Sequence, residues 1–337
     1  MDRTMRTSKI LITAFLILCL IPAILMFFVP AKAGANEILS PKPKMGVDVL
    51  EQTGDYVADH FAFRQELITL WAKLNAVLFH SSVQDDVLLG ENGWLYYTAT
   101  IGDYTGEHLS DEDLDEIALH LKNLQAEAEA AGARFVFTVA PNKNSIYTSH
   151  MPALYACGHE TASINRLRPV LEKYGINYVD LFDLYQDGDG LYYKTDSHWT
   201  AQGAAAAADR LIGTDYSSKG FTTGSPRVGD LYEMLYPKGK GVEPEVLFTG
   251  SLDYQVEGNA KNGEAITIRT KSDAENGRLL CFRDSFGISL YPYLAAGFEE
   301  ATFTRSTDFS FEEYHPEDYD VIILEIVERN LSYLLEN

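Results

Sequence analysis

Three short apolar runs constrain this chain most: Arg134–Ala140, Leu279–Arg283 and Tyr319–Ile326. Each has strand length and lacks the alternation of a half-exposed strand, so each reads as buried on both faces. Between them lie segments with apolar residues at helical spacing. Ser110 reads as an N-cap, followed by Leu114, Ile117, Leu121 and Leu124, with Gly132 as the C-cap. A helix over Thr161–Tyr174, a strand over Ile176–Asp180, a helix over Ala201–Ile212, a helix after Ser285 and a strand over Ala301–Thr304 continue the pattern. Strands alternating with helices predict an α/β fold with a doubly wound, mostly parallel sheet. Residues 214–278 break the alternation. They are rich in Gly, Thr, Ser and charge, with short runs such as Val246-Leu247-Phe248, and read as an antiparallel insertion.

The N-terminus is set apart from this body. Arg3, Arg6 and Lys9 precede a charge-free run from Ile10 to Pro30, long enough at about 1.5 Å per residue to cross roughly 30 Å of hydrocarbon. The basic flank keeps the N-terminus in the cytoplasm and exports the rest. Ala31-Lys32-Ala33 has the small-x-small form of a cleavage site. Residues 1–33 are therefore a membrane anchor, or a signal peptide cleaved near Ala33, and the body is extracytoplasmic. Residues 34–85 read as a linker and a helix over about Thr53–Phe79. The segment Gln84–Tyr97 reads as a hairpin about Glu91-Asn92-Gly93, and the main domain spans 86–337.

Of 337 residues, 46% are hydrophobic, enough for a core, and the net charge of −22 excludes the basic surface that nucleic acid requires. No His-Glu-x-x-His, phosphate loop or dinucleotide fingerprint occurs, so no metal or cofactor is expected. Asp187-Gly188-Asp189-Gly190 lacks the rest of a calcium loop and reads as a turn. Cys157 and Cys281 are available for a disulfide, although Cys281, inside an apolar strand, fits a buried free thiol better.

Two segments carry chemistry. Asp196-Ser197-His198-Trp199-Thr200 places a carboxylate two residues before an imidazole, just ahead of a helix. Arg283-Asp284-Ser285-Phe286-Gly287 places a serine between a strand and a helix. Taken singly, each has a plainer reading: a polar loop with Thr200 as N-cap, and an Asp or Ser N-cap. Together they supply a nucleophile (Ser285), a base (His198) and an acid that orients the base (Asp196). In open α/β sheets ligands bind at the carboxyl ends of the strands. Pro141–Asn144, Asp284-Ser285 and Glu325 lie there.

The order of several segments resembles the DHHW family and the alginate O-acetylation proteins J and X, which are SGNH-hydrolase-like. The resemblance rests on Asp59-His60-Phe61-Ala62-Phe63-Arg64, Gly93-Trp94-Leu95-Tyr96-Tyr97, Val139-Ala140-Pro141-Asn142-Lys143, Asp196-Ser197-His198-Trp199 and Asp284-Ser285-Phe286. It implies Ser285 as nucleophile, His198 as base and Asp196 as its orienter. Ser197 stands where the family name has its second His. The usual SGNH Gly and Asn oxyanion donors are not identifiable, which leaves the Ser285 N–H with Asn142, Lys143, Asn144, Tyr147 and Asp284 as oxyanion or substrate candidates. The resemblance further implies an O-acetyltransferase acting on a surface or cell-wall polysaccharide, supplied with acetyl by a membrane-bound O-acyltransferase. The same residues with water as acceptor would make a carbohydrate or acyl esterase. A non-catalytic glycan-binding scaffold is the third reading, open if Ser285 and His198 lie apart.

Overall fold

The computed structural model describes residues 2–34, 37–155, 161–185, 190–258 and 263–335. They group into two compact units: Met1–Val87 with Asp230–Lys240, and Leu88–Gly229 with Gly241–Asn337. Cys157 and Asp187–Asp189, on which the disulfide alternative and the turn reading fall, lie outside the described residues.

The first unit holds α1 (Asp2–Leu25), α2 (Val49–His60) and α3 (Arg64–Phe79). The window Ser8–Leu25 of α1 is long and apolar enough to cross a membrane. The single helix expected over about Thr53–Phe79 is two helices. Phe63 takes a left-handed φ of 64° between them, and the Arg64 Nε–H donates to the Ala58 carbonyl at 3.1 Å, closing the end of α2.

In the second unit, β1 (Val87–Leu89) and β2 (Leu95–Tyr97) pair as a hairpin. Its turn needs positive φ at Asn92 (55°) and Gly93 (82°), as an Asn-Gly turn provides. Then follow α4 (Ile101–Thr105), α5 (Asp111–Ala130), β3 (Arg134–Ala140), α6 (Lys143–Ile146), α7 (Ser163–Tyr174), β4 (Tyr178–Val179), α8 (Ala201–Ile212) and β5 (Phe221–Arg227). After α9 (Asp230–Leu235), which groups with the first unit, come β6 (Glu243–Phe248), β7 (Gln255–Glu257), β8 (Thr267–Lys271), β9 (Arg278–Phe282), α10 (Gly287–Gly297), β10 (Glu300–Thr304) and β11 (Val321–Val327). Ser110 caps α5 in a full capping box with Asp113.

Seven strands form the main sheet in the order β4-β3-β11-β9-β10-β8-β7. The first five are parallel, and β8 and β7 add antiparallel at the edge. The stretch 214–278 thus supplies two things: the separate antiparallel ribbon β5–β6 and the two edge strands. All seven residues of β11 are buried, because alternate side chains enter different cores. Val321, Ile323 and Val327 pack with Ala204, Ala208 and Leu211 of α8 and Leu290 and Leu294 of α10. Ile322, Leu324 and Ile326 pack with Leu114, Ile117 and Leu121 of α5 and Leu167 and Leu171 of α7. Cys281 is a buried free thiol on β9.

Candidate active site

The loop before α8 is folded by its own backbone. Tyr192 and Trp199 form an antiparallel bridge, and the Thr200 N–H donates to the Leu191 carbonyl at 2.8 Å. Thr200 then caps α8, accepting from the Gly203 N–H at 3.2 Å. Gly203 is required there, since a Cβ would lie 2.3 Å from the Leu191 carbonyl oxygen. At the loop tip, Asp196 Oδ1 accepts from the His198 backbone N–H at 3.0 Å and lies 2.8 Å from His198 Nδ1. The carboxylate meets the imidazole by closing a local turn, so the two residues need no extended strand.

The Ser285 loop leaves the carboxyl end of β9. Asp284 Oδ1 accepts from the Phe286 N–H at 2.8 Å, and Oδ2 accepts from the Val327 N–H at 2.7 Å and Asn330 Nδ2 at 3.3 Å. Its own N–H donates to Glu325 Oε2 at 3.3 Å. Burial and the neighbouring Asp284 carboxylate push the Glu325 carboxyl well above its ordinary value. A Cβ at position 287 would meet the Arg283 side chain at 2.5 Å, so Gly287 lets the chain turn tightly into α10.

The two loops meet. His198 Nε2 lies 2.9 Å from Ser285 Oγ, and the Trp199 indole N–H donates to the Phe286 carbonyl at 3.1 Å. With Nδ1–H on Asp196, Nε2 is the acceptor for the serine hydroxyl. A cavity of about 180 Å³ opens beside Ser285, lined also by Asp284, Arg305, Asn330 and Tyr333.

Three side chains anchor the Asp196 loop from outside. Lys143 Nζ donates to the carbonyls of Tyr193, Lys194 and Asp196 at 3.1, 3.0 and 2.6 Å. Glu243 of β6 accepts from the backbone N–H groups of Lys194 and Thr195 at 2.8 and 2.9 Å. Arg227 of β5 pairs its Nη2 with Asp196 Oδ2 at 2.9 Å, its guanidinium 4.1 Å above the Tyr193 ring. Burial opposes ionisation of Asp196. The hydrogen bond and charge of His198 and the Arg227 guanidinium outweigh it and hold the carboxyl well below the usual range.

The oxyanion and substrate candidates divide. Lys143 is buried and committed to loop carbonyls, so it positions the loop. Asn144 donates its amide to the Thr100 carbonyl at 3.1 Å, and Tyr147 packs in the core against Trp94 and Tyr192. Asp284 spends both carboxylate oxygens on neighbouring donors. The Asn142 backbone N–H donates to the buried Glu328 at 2.8 Å. Arg227 and Glu243 were missed: nothing in their local sequence distinguishes them, and both reach the loop only through the β5–β6 ribbon.

Comparison with known proteins agrees with this architecture. Residues 87–227 match the family model described as "SGNH hydrolase-like domain, acetyltransferase AlgX", a stretch that includes Asp196 and His198. Over 149 residues the chain is 26% identical to "Probable alginate O-acetylase AlgJ" of Pseudomonas aeruginosa, covering 42% of this chain and 36% of that protein. Over 172 residues it is 27% identical to the protein of the same description from Pseudomonas syringae pv. tomato, covering 50% and 42%. The chain thus spans less than half the length of these relatives. Among solved structures, Bacillus cereus PatB1 with a sulfonyl adduct superposes with a TM-score of 0.58 at 13% identity, over 73% of this chain and 97% of that one. A DHHW family protein from Eubacterium siraeum gives 0.54 at 16%, over 74% and 98%. At these identities the two structures speak to fold alone. The resemblance expected from the motifs holds: residues 87–227 match an SGNH hydrolase-like domain, the fold is that of the solved structures above, and the sheet between the helices is mixed.

Proposed function

We propose that the chain is an extracytoplasmic O-acetyltransferase, tethered by α1, that acetylates a surface or cell-wall polysaccharide through an acetyl-serine on Ser285. The observation that carries this reading is the relay from Asp196 to His198 to Ser285, with links of 2.8 and 2.9 Å. Its similarity to an acetyltransferase domain and to probable alginate O-acetylases favours acetyl as the group moved.

In this reading Ser285 Oγ attacks the donor carbonyl and passes its proton to His198 Nε2, while Asp196 stabilises the imidazolium. His198 returns the proton to the leaving group. A sugar hydroxyl then gives its proton to His198 and attacks the acetyl carbon; as the Oγ–acetyl bond breaks, His198 returns that proton to Ser285 Oγ. In this reading the Ser285 backbone N–H supports the developing oxyanion, with the Asn142 side-chain amide as the second donor, since the Asn142 backbone N–H is held by Glu328. Residues 1–33 serve as the anchor and about 86–337 as the catalytic body. A membrane-bound O-acyltransferase supplies acetyl.

The test uses the full chain with p-nitrophenyl acetate. An acetyl adduct on Ser285 by mass spectrometry, with turnover lost in Ser285→Ala and His198→Ala, supports the reading. Equal background rates in all three proteins remove it. Adding an oligosaccharide then decides the acceptor: acetylated sugar marks the transferase, and free acetate alone marks an esterase.

A further inference from the structure

Helix α3 is inside out. Its buried side carries Gln65, Thr69 and Ala72, while Leu70, Trp71, Leu74, Val77 and Leu78 are 56, 59, 45, 74 and 64% exposed. At 3.6 residues per turn these five side chains fall within an arc of about 120°, opposite the buried three. A helix on a water-facing surface shows the reverse arrangement. The orientation is fixed by hydrogen bonds: Thr69 Oγ1 accepts from the Lys238 N–H at 2.9 Å, and Gln65 Nε2 donates to Glu37 Oε2 at 3.1 Å. Rolling the helix to hide its apolar face would break both. A contiguous exposed apolar face of this kind marks a surface that something covers.

The same unit identifies the cover. The Ala62 N–H donates to the Pro22 carbonyl at 3.1 Å, so the chain two residues before α3 is bonded to the last turn of the apolar span. Val29–Lys32, just beyond that span, line one pocket with Asp59 and Phe61–Glu66. The start of α3 therefore lies where a membrane-spanning α1 would leave the hydrocarbon, and Phe27 and Phe28, 79 and 78% exposed, extend the apolar surface between them. The helix carries Arg64 and Lys73 against Glu66, a small positive excess in a chain of net charge −22. Apolar face, polar back and slight positive charge are the features of a helix lying in the membrane interface.

We propose that α3 lies flat on the bilayer, with Leu70, Trp71, Leu74, Val77 and Leu78 at the boundary of headgroups and acyl chains, as a second attachment beside α1. The inference rests on α1 as the anchor. Trp71 reports on it directly, because the other tryptophans, Trp94 and Trp199, are 4 and 0% exposed. The full chain would be reconstituted into phosphatidylcholine–phosphatidylglycerol vesicles whose acyl chains are brominated near the headgroup. The expected result is co-flotation with the vesicles and bromine quenching of a tryptophan component that Trp71→Phe removes. The exposed-face double variant Leu74→Glu/Leu78→Glu should still float, through α1, but lose that quenching. Flotation with Trp71 open to aqueous iodide and unquenched by bromine would overturn the proposal, leaving this face to a protein partner. So would quenching that survives either variant. A chain that does not float at all would overturn the anchor as well.

Discussion

Replacing Arg227 tests how the candidate site is held. Its Nη2 lies 2.9 Å from Asp196 Oδ2, and the two side chains are 29 and 5% exposed. Unit charges about 4 Å apart interact by about 4 kcal/mol at an effective dielectric of 20. Solvent at the open edge of Arg227 lowers this, so Arg227→Met should cost about 2–3 kcal/mol at neutral pH. The pH dependence follows from the direction of the Asp196 shift. The folded-state carboxyl is held below its unfolded value, about 3.9 for an unperturbed Asp. The stabilisation is therefore fully present above that value and lost as pH falls toward the folded one. Urea denaturation of wild type and Arg227→Met should differ most at pH 7 and converge below about pH 4. The acylation rate of Ser285 should fall about tenfold or more, since each 1.4 kcal/mol of lost orientation is a factor of ten. Arg227→Lys should recover part of the rate, restoring charge without the flat stack on Tyr193. A cycle with Asp196→Asn isolates the pair. A loss under about 0.5 kcal/mol with an unchanged rate would mean that Arg227 is a bystander.

Glu328 predicts a slope of the opposite sense. Burial pushes its carboxyl up to about 7, against hydrogen bonds from Ser145 and Asn142 that lower it. Folding therefore favours the protonated form, and stability should fall by about 3 kcal/mol as pH rises from about 4.5 through 7. Glu328→Gln keeps an acceptor for both donors and should flatten that part of the stability–pH curve; an unchanged slope would refute the assignment. Burial likewise pushes the Cys281 thiol well up. Peptide mapping should find Cys281 unmodified by iodoacetamide in the native chain and modified after denaturation; labelling at native rates in the folded chain would contradict its place in the core.

Much of the sheet was legible because local pattern and tertiary demand coincide. The apolar run Arg134–Ala140 is a strand over that whole range, and Ala201–Ile212 is a helix over that whole range. The edge was harder. The strand expected over Ile176–Asp180 survives only at Tyr178–Val179, for β4 has β3 on one side alone. Phe63 shows another limit, since nothing local to a bulky aromatic announces a left-handed break. At the candidate site, Ser285 and His198 were readable from their positions before helices. Their supports were not. Lys143, Arg227 and Glu243 are 53, 31 and 48 residues from the atoms they hold, and only the folded chain brings them together.

The plain and the chemical readings of Asp284-Ser285 compete only while they are read as one residue's task. In the structure the tasks are divided. Asp284 takes the structural task, binding the Phe286 N–H ahead of α10 with one oxygen and the Val327 N–H with the other, and so pins the end of β9 to the neighbouring strand β11. Ser285 is thereby relieved of capping, and its hydroxyl is left to His198 at 2.9 Å. The same division holds in the other loop. Thr200 caps α8, Trp199 makes the bridge and ties the loop to the Phe286 carbonyl, and His198, just before both, keeps Nε2 for the serine. In both loops a structural residue adjoins the candidate chemical one. Motifs of this kind carry information because the neighbours are specified along with the candidate nucleophile and base.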